Sequence, residues 1–497
     1  MSNQTAFFFA PAEKSGKIRL KAAYCRLIHS YEEKSVSDEL TYDLVVLGGG
    51  TGGYAAALRA AELDMKVALI ERDKVGGTCL HRGCVPTKAL LHAAEVADSA
   101  KNSETFGIEA EFKGIDIAKV LEYKDGVITR NYKGLQGLVK ARGIDTYFGT
   151  GKLAGEDTVE VTGEDGSHTV KGTNVLLSTG STSKTIGLEV TDRVITSTEA
   201  LELDKVPNSA IVLGGGVIGV EFASVWNSFG ADVTIVEGLK HLVANEDETI
   251  SKNLERAFKK RKIKFKLGVM FKGVEETADG VKVTLEDGST LEAEYLLVAV
   301  GRGPVTDGFG FEEQGIPMDR GFVLANERLH TGVGNIYACG DIVPGLQLAH
   351  RAFGQGIFIA EEIAGLNPAP VVESGIPRVT YCEPEIFSVG LSSAQAEEKY
   401  GKDQVEALEY NLGGNGKSVI LNTTGLIKVI REKDGPVVGV HGIGARLSEQ
   451  AGEAQLIVNW EAFPEEVAQL IHAHPTQNEA LGEAHLALAG KPLHFHS

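Results

Sequence analysis

The sequence is poor in cysteine and in positive charge, and it contains no apolar run of membrane-spanning length. Five cysteines among 497 residues are too few for a disulfide scaffold. We therefore expect a reducing, cytoplasmic setting, in which any disulfide would sooner be catalytic than structural. The 49 lysine and arginine residues are outnumbered by 68 aspartate and glutamate residues, giving a net charge of -19. This acidic balance argues against nucleic acid and membranes as partners.

The first part of the chain lacks the organisation of a signal peptide, because the apolar stretch Phe7–Ala10 is too short for one. Three acidic residues in the same segment, Glu13, Glu32 and Glu33, weigh against a transit peptide. We therefore interpret residues 1–40 as a disordered N-terminal extension and expect that the folded core does not need Met1–Ser35.

Glycine is abundant, with 60 residues, and no collagen-like repeat or low-complexity tract accounts for it. One pattern that uses glycine occurs twice, over Tyr42–Glu71 and over Ala210–Glu237. Each copy reads as an apolar strand, a G-x-G-x-x-G turn, a helix and a second strand that ends in an acid. This order predicts two Rossmann-like dinucleotide-binding units. Because the chain is too long for one hydrophobic core, we expect several domains.

The two glycine turns predict where dinucleotides bind. Their glycines are Gly48, Gly50 and Gly53 in the first turn and Gly214, Gly216 and Gly219 in the second. The first glycine of each set permits the tight turn, the second lets the backbone approach a pyrophosphate, and the third lets the helix pack on the strand. Glu71 and Glu237 would accept hydrogen bonds from a ribose 2′-hydroxyl. Because Glu237 would repel a 2′-phosphate, it favours NAD over NADP.

A pair of cysteines follows the first strand pair, in the segment Gly76–Lys88, which reads GGTCLHRGCVPTK. In one regular helix, Cys79 and Cys84 would lie about 7.5 Å apart, which exceeds disulfide reach. Gly83 can break the helix, and Pro86 suits the first turn of a new one. Cys84 would then lie at a helix N-terminus, where its thiolate is stabilised. The pattern predicts a redox-active pair.

The remaining segments predict one further domain type. β-rich stretches cover Thr146–Val170 and Leu267–Leu291, the second with a hairpin turn at Glu286–Gly288. In the last part, strands come first and helices follow, which indicates an α+β domain. The predicted strands are Val379–Tyr381, Ile386–Gly390, Gly425–Ile430 and Val437–Gly442, and the predicted helices are Leu447–Glu461 and Pro464–Ile471.

The cysteine segment closely resembles the redox-active motif of the pyridine nucleotide–disulfide oxidoreductases. The similarity extends over nearly all of Tyr42–Leu493, with further matches at Ser178–Ser181, Val298–Pro304, Thr331–Asp341 and His474–Glu479. Within this family the chain most resembles the dihydrolipoamide dehydrogenases, through Gly214–Glu237 and Leu348–His350.

Some positions refine this resemblance. Val305 stands where the family often has asparagine, and Gln355 replaces a frequent glutamate, which puts the subgroup rather than the chemistry in doubt. His81–Arg82 and Thr87 resemble a bacterial, in particular actinobacterial, variant of the cysteine motif.

The resemblance implies an α/β fold with two Rossmann-like dinucleotide-binding domains, for FAD and NAD, and a C-terminal α+β dimerisation domain. The implied domains are an FAD-binding domain over residues 41–185, an NAD-binding domain over 186–303, a central domain that completes the FAD site over 304–373, and a dimerisation domain over 374–497.

The resemblance also assigns roles to residues. Cys79 would be the thiol that meets the substrate, Cys84 the thiol next to the flavin, and His474 a base held by Glu479, while Lys88 would pair with Glu221. The implied FAD-binding residues are Gly48, Gly50, Gly53, Glu71, Gly77, Thr78, Lys88, Gly151, Thr179, Gly180, Ser181, Asp341, Gln347, Leu348, Ala349 and His350. The implied NAD-binding residues are Gly214, Gly216, Val217, Ile218, Gly219, Glu221, Glu237, Val274 and Gly301. No metal ion is expected.

The implied activity is oxidation of dihydrolipoamide to lipoamide with reduction of NAD⁺. The implied partners are a second copy of the chain, lipoyl domains and the acyltransferase core of 2-oxo acid dehydrogenase complexes, with the glycine cleavage system as a further setting. Related activities fit less well. No cysteine follows Cys382, as a mercuric or high-molecular-weight thioredoxin reductase would require, and Glu237 disfavours the NADPH of a glutathione-type reductase. A transhydrogenase would lack the Cys79–Cys84 pair.

Two alternatives remain. One is an NAD(P)H-dependent reductase of another low-molecular-weight disulfide such as mycothione, which the motifs alone do not exclude. The other is a subunit that serves chiefly to bind its complex, which the complete set of catalytic residues disfavours. Cys25, Cys339 and Cys382 are interpreted as buried or incidental thiols.

Overall fold

The computed structural model describes residues 41–495. The predicted disordered extension, residues 1–40, lies outside the described residues, and so does Cys25. Among the helices of the described part, none is long and apolar enough to cross a membrane.

The first part of the described chain forms a mixed sheet with helices. In chain order its elements are β1 (Thr41–Leu47), α1 (Thr51–Glu62), β2 (Val67–Glu71), α2 (Gly77–Arg82), α3 (Cys84–Lys101), α4 (Ile117–Ala141), β3 (Asp145–Phe148), β4 (Thr150–Leu153), β5 (Thr158–Gly163) and β6 (Gly166–Leu177). The strand order is β3-β2-β1-β6-β5-β4. The first four pair in parallel, and β5 and β4 join through antiparallel pairs. The buried run Leu44–Leu47 suits the centre of β1, because parallel strands covered on both faces are apolar throughout.

The second part repeats the strand–turn–helix–strand unit. Its elements are β7 (Ser181–Ser183), β8 (Val194–Ile195), α5 (Ser197–Ala200), β9 (Ser209–Leu213), α6 (Val217–Phe229), β10 (Asp232–Glu237), α7 (Glu248–Lys260), β11 (Lys264–Leu267), β12 (Phe271–Glu276), β13 (Val281–Leu285), β14 (Thr290–Ala293) and β15 (Tyr295–Val298). A parallel sheet has the order β11-β10-β9-β15-β8, and β12, β13 and β14 form an antiparallel sheet. The predicted turn Glu286–Gly288 lies between β13 and β14 and is confirmed.

The chain then returns to the first sheet. The next elements are β16 (Arg302–Pro304), β17 (Met318–Asp319), β18 (Phe322–Val323), β19 (Ile336–Ala338) and α8 (Ala349–Ile363). β16 pairs with β7, and β19 adds to β6 in parallel. Because parallel strands end at the same edge of a sheet, this addition carries Gly340 and Asp341 to the edge where the first glycine turn lies.

The last part is an antiparallel sheet with helices, so the predicted α+β character is confirmed. Its elements are β20 (Arg378–Thr380), β21 (Glu385–Gly390), α9 (Ser393–Tyr400), β22 (Val405–Asn411), α10 (Gly416–Leu421), β23 (Leu426–Glu432), β24 (Val437–Gly444), α11 (Ala451–Asn459), α12 (Pro464–Val467) and α13 (Glu479–Leu488). The strand order is β20-β21-β24-β23-β22.

One hydrophobic cluster holds the three parts together. It combines Leu90 of α3, Phe222 and Trp226 of α6, and Cys382 and Ile386 from the last part of the chain. Full burial of a large apolar side chain stabilises a protein by roughly 1.5–3 kcal/mol. The helix that begins at Cys84 is therefore fixed against the helix of the second glycine turn.

Several predicted boundaries were wrong. The helix predicted over Pro464–Ile471 ends at Val467, because the following N–H groups, of Gln469 and Leu470, bond to carbonyls only three residues back. The helix predicted over Leu447–Glu461 covers only Ala451–Asn459. The sequence interpretation also missed β22 and α13, both of which belong to the last part of the chain.

Candidate active site

The first and third glycines of each turn serve the fold, as predicted. Gly48 and Gly214 adopt positive φ angles of 107° and 108°, which favour glycine. A Cβ on Gly53 would lie 1.8 Å from the Gly48 carbonyl oxygen, and a Cβ on Gly219 would lie 2.0 Å from the Gly214 carbonyl oxygen. Neither position has room for a side chain, because each helix packs directly on its own turn.

The second glycines, Gly50 and Gly216, differ from their neighbours. Both have extended backbone and precede a helix N-terminus, and a Cβ on either would meet no protein atom within 4 Å. No side chain caps either helix, and neither has an acid in its first turn. The first N–H groups of α1 and α6 therefore face open space, an arrangement that fits a dinucleotide pyrophosphate at each turn.

The acids that end the second strands close these turns. Glu71 Oε2 accepts a hydrogen bond from Gly49 N at 2.8 Å, and Glu237 Oε2 accepts one from Gly215 N at 2.6 Å. In each case Oε1 accepts a backbone N–H two residues further along, at 2.9 and 2.8 Å. A carboxylate has about four acceptor sites, so acceptors remain for a ribose hydroxyl. That ribose contact stays a prediction.

One cavity of about 1330 Å³ joins the two turns. It exceeds the usual range of small-molecule pockets, roughly 300–1,000 Å³. The predicted site residues that line it are Gly48, Gly50, Glu71, Gly77, Thr78, Cys79, Cys84, Lys88, Gly151, Thr179, Gly180, Ser181, Gly214, Gly216, Val217, Ile218, Glu221, Glu237, Gly301, Asp341, Gln347, Leu348, Ala349 and His350. These residues come from both glycine units and from the segment that returns to the first sheet, which runs from β16 to α8 and is called the return segment below. Folding brings them to one place.

Val274, which was predicted to bind NAD, does not line this cavity, and its contact with NAD stays a prediction. It lies on β12 opposite Val283 and packs into a hydrophobic cluster rather than lining the cavity. Val269, Met270 and Phe271 line the cavity instead. The sequence interpretation missed these three residues; Phe271 reaches the cavity from the first position of β12 although it packs against the same hydrophobic cluster as Val274.

The cysteine pair lies in the cavity between the turns. Cys79 belongs to α2 and Cys84 begins α3, with Gly83 between the two helices, so the predicted break is confirmed. Both thiols are free. The adjacent Cys79 thiol and the charge of Lys88 lower the pKa of Cys84 to about 7, although desolvation raises it. The adjacent Cys84 thiol and burial raise the pKa of Cys79 well above its ordinary value.

Lys88 and Glu221 form the predicted ion pair. Lys88 Nζ lies 2.9 and 2.8 Å from the two carboxylate oxygens, and Glu221 is only 2% exposed. Although burial lowers it, Glu221 raises the pKa of Lys88 above its ordinary value. Tyr381, which sequence reasoning missed, donates its backbone N–H to Glu221 at 2.9 Å and places its ring 4.9 Å from Lys88 Nζ. No local pattern marks Tyr381, because its contacts lie far away along the chain.

The return segment builds a second polar group at the cavity. Ser181 Oγ donates to Asp341 Oδ2 at 2.5 Å and accepts from Arg302 Nε at 2.7 Å. Gly340 donates its N–H to Gln355 Oε1 at 2.8 Å, and Gln355 is 1% exposed. The residue that departs from the family pattern is thus a buried acceptor that orients the loop before Asp341.

The predicted base and its partner are also joined. His474 Nδ1 lies 2.8 Å from Glu479 Oε1, and Glu479 Oε2 accepts the Thr476 N–H at 2.8 Å. Neither His474 nor Glu479 lines the cavity, and the His474 side chain is 76% exposed. Within one chain, folding completes this dyad but does not bring it to the cavity that holds Cys79.

The chain resembles known proteins over most of its length. Residues 42–356 match the family model described as pyridine nucleotide-disulphide oxidoreductase, and residues 376–485 match its dimerisation domain. A dihydrolipoyl dehydrogenase of Bacillus subtilis is 40% identical, covering 91% of this chain and 99% of that protein. One from Geobacillus stearothermophilus is 38% identical, covering 91% and 97%. The crystal structure of LpdA from Mycobacterium tuberculosis is similar with a TM-score of 0.84 at 25% identity, covering 90% and 99%.

Proposed function

The chain belongs to the pyridine nucleotide-disulphide oxidoreductase family, whose cofactors are FAD and NAD, and from this premise we propose that it oxidises dihydrolipoamide to lipoamide and reduces NAD⁺. The observation that carries the proposal is the position of the cysteine pair. Cys79 and Cys84 lie in one cavity between two dinucleotide turns, and the Lys88–Glu221 pair joins the two sides. FAD, when bound, supplies the two-electron chemistry between the dithiol and the nicotinamide.

The cysteines take part by disulfide exchange. The enzyme starts with Cys79 and Cys84 bonded to each other. A substrate thiolate attacks Cys79 Sγ, the bond between the cysteines breaks, and Cys84 leaves as a thiolate. Because the charge of Lys88 lowers the pKa of Cys84, Cys84 is the better leaving group of the two. The second substrate thiolate then attacks the substrate sulfur of the mixed disulfide, which closes the lipoamide ring and leaves the two cysteines reduced.

His474 acts as the base in this proposal. Because Glu479 accepts a hydrogen bond at Nδ1, the proton of the neutral ring stays on Nδ1 and Nε2 is free to take one from a substrate thiol. The dyad lies outside its own chain's cavity, so we propose that it serves the cavity of a second copy. The family match includes a dimerisation domain. Exposed apolar side chains in the same part of the chain, Trp460, Leu470 and Ile471, support such an interface.

The finer assignments follow from the same proposal. Glu237 would select NAD⁺ over NADP⁺, and the substrate would be carried by lipoyl domains of a 2-oxo acid dehydrogenase complex through its acyltransferase core. The cytoplasmic setting and the domain boundaries at 41–185, 186–303, 304–373 and 374–497 stay predictions.

A steady-state assay tests the proposal. The purified holoenzyme should reduce NAD⁺ with dihydrolipoamide, and both Cys79→Ser and Cys84→Ser should abolish this reaction while FAD stays bound. Full turnover by either variant would refute the disulfide mechanism. Reduction of mycothione by NADH or NADPH, without turnover of dihydrolipoamide, would favour the alternative disulfide reductase.

A further inference from the structure

The loop that carries His474 has no regular secondary structure. It joins α12 to α13, and His474 itself is largely exposed. Packing in the core therefore does not hold the imidazole. Its position is set by its own bond to Glu479 and by the hydrogen bonds that the rest of the loop makes with other elements.

Glu453, on α11, binds two residues of this loop that flank His474. Its Oε1 lies 2.8 Å from His472 Nε2, and its Oε2 accepts from Asn478 Nδ2 at 2.5 Å. The two donors lie on either side of His474 along the chain. The side chains of Glu453 and His472 are 24% and 11% exposed. Although burial raises it, the bonds from His472 and Asn478 hold the pKa of Glu453 below its ordinary value, so the carboxylate stays ionised at neutral pH.

His472 is held on its other side by α13. A Cβ on Gly482 would lie 2.5 Å from His472 Nδ1, so the imidazole lies directly against the helix where a side chain is missing. Glu479, which binds His474, lies in the first turn of the same helix. Helix α13 therefore both packs against His472 and carries the carboxylate that orients the imidazole of His474.

We infer that Glu453 is a positioning residue for dithiol oxidation, an inference that rests on the proposed role of His474. Glu479 orients the imidazole ring of His474 through one hydrogen bond. Glu453 determines the position of the loop and therefore the position of the ring. Displacement of a reacting group by about 1 Å can lower a rate about 100-fold. Without Glu453, the His474–Glu479 pair would persist, but the imidazole would no longer be held beside the substrate thiol.

Glu453→Gln tests the inference in the holoenzyme, because a glutamine offers one acceptor where two donors need one each. The kcat for dihydrolipoamide oxidation should fall at least about tenfold, with little change in KM. NADH oxidation by ferricyanide should stay unchanged, because it takes electrons from the flavin without a base. Glu398→Gln, which removes the same charge from an exposed site on α9, is the matched control and should retain both activities.

A second pair of variants keeps the test decisive if Glu453→Gln does not fold. His472→Gln retains a donor near the position of Nε2, whereas His472→Leu removes it. The leucine variant should lose dithiol oxidation selectively, and the glutamine variant should retain most of it. If both single substitutions break the same contact, between Glu453 and His472, the double variant Glu453→Gln/His472→Leu should oxidise the dithiol no more slowly than the slower single variant.

Three results would count against the inference. The first is that Glu453→Gln oxidises the dithiol as fast as Glu398→Gln. The second is that Glu453→Gln loses dithiol oxidation and ferricyanide reduction equally. The third is that the two His472 variants are equally active. A wild-type enzyme that does not oxidise dihydrolipoamide would overturn the proposed function. Full activity of Glu453→Gln beside an inactive His474→Gln would overturn the inference alone.

Discussion

Lys88 Nζ lies 2.9 and 2.8 Å from the two carboxylate oxygens of Glu221, so an ion pair joins the helix that begins at Cys84 to the helix behind the second glycine turn. The residues are 133 positions apart in the chain. Glu221 is almost fully buried, and Lys88 lies close enough to Cys84 to lower the pKa of its thiol. A substitution of Glu221, on the side of the second glycine turn, should therefore change the pKa of Cys84.

The two members of the pair should shift the reactivity of Cys84 in opposite directions. The charge of Lys88 lowers the pKa of Cys84 and the charge of Glu221 raises it. In a Cys79→Ser background, Lys88→Met should raise this pKa and slow iodoacetamide alkylation at pH 6 by up to about tenfold, whereas Glu221→Gln should speed it. Alkylation rates across pH would measure both effects. Shifts of the same sign would show that the pair does not control the thiol.

NAD⁺ should be strongly preferred over NADP⁺, because Glu237 would repel a 2′-phosphate. Glu237 also accepts the Gly215 N–H, so Glu237→Ala should loosen the turn as well as remove the charge. The expected result is a loss of about 1–3 kcal/mol in NAD⁺ binding together with a smaller preference against NADP⁺. The measurement is kcat/KM for both cofactors in both proteins. Comparable values for the two cofactors in the wild type would contradict the assignment.

Mixed dimers should recover activity from two inactive parents. If His474 serves the cavity of the second copy, Cys79→Ser and His474→Gln subunits combine into one site with both defects and one intact site. Such a heterodimer should show about half of the wild-type activity per dimer if the sites act independently. Separately tagged subunits allow its isolation. Folded, isolated heterodimers without activity would argue against action in trans, or would show that the two sites are obligatorily coupled.

Asp247 should stabilise the fold most at neutral pH. It is 2% exposed and lies 2.8 Å from Lys428, and although burial raises its pKa, Lys428 holds that pKa well below the ordinary value. Because the folded pKa is depressed, the stabilisation is present above about pH 4 and is lost as the pH falls further. Asp247→Asn removes the nearer of the two carboxylates that contact Lys428 and leaves Glu409 at 3.5 Å, so it should cost up to about 3–5 kcal/mol at pH 7, and less at pH 3. Urea unfolding at both pH values measures this.

Asp116→Asn is the matched control for that measurement. Asp116 caps α4 at an exposed position, and asparagine caps a helix about as well as aspartate. The control should therefore unfold close to the wild type at both pH values. An Asp247 variant that unfolds like the control at pH 7 would contradict the stabilising role of the buried pair.

Local sequence patterns predicted much of the candidate site. The tight glycine turns, the strands that end at Glu71 and Glu237, and the break at Gly83 are present in the structure, because each depends on neighbours within one strand–turn–helix unit. The same reasoning did not find Val269, Met270 and Phe271, which line the cavity. It also missed α13, because the preceding loop is stabilised by residues from other elements rather than by its own sequence.

The sequence by itself determined the chemistry that the chain can perform. The thiol pair, the two pyrophosphate turns and the His474–Glu479 dyad are short-range arrangements whose geometry follows from backbone limits and residue type. The tertiary structure decided how these parts relate to one another. It placed Lys88 against Glu221, Tyr381 beside both, and Glu453 against two residues that flank His474. Such contacts depend on which elements pack together, and packing is set by the whole core rather than by any local pattern.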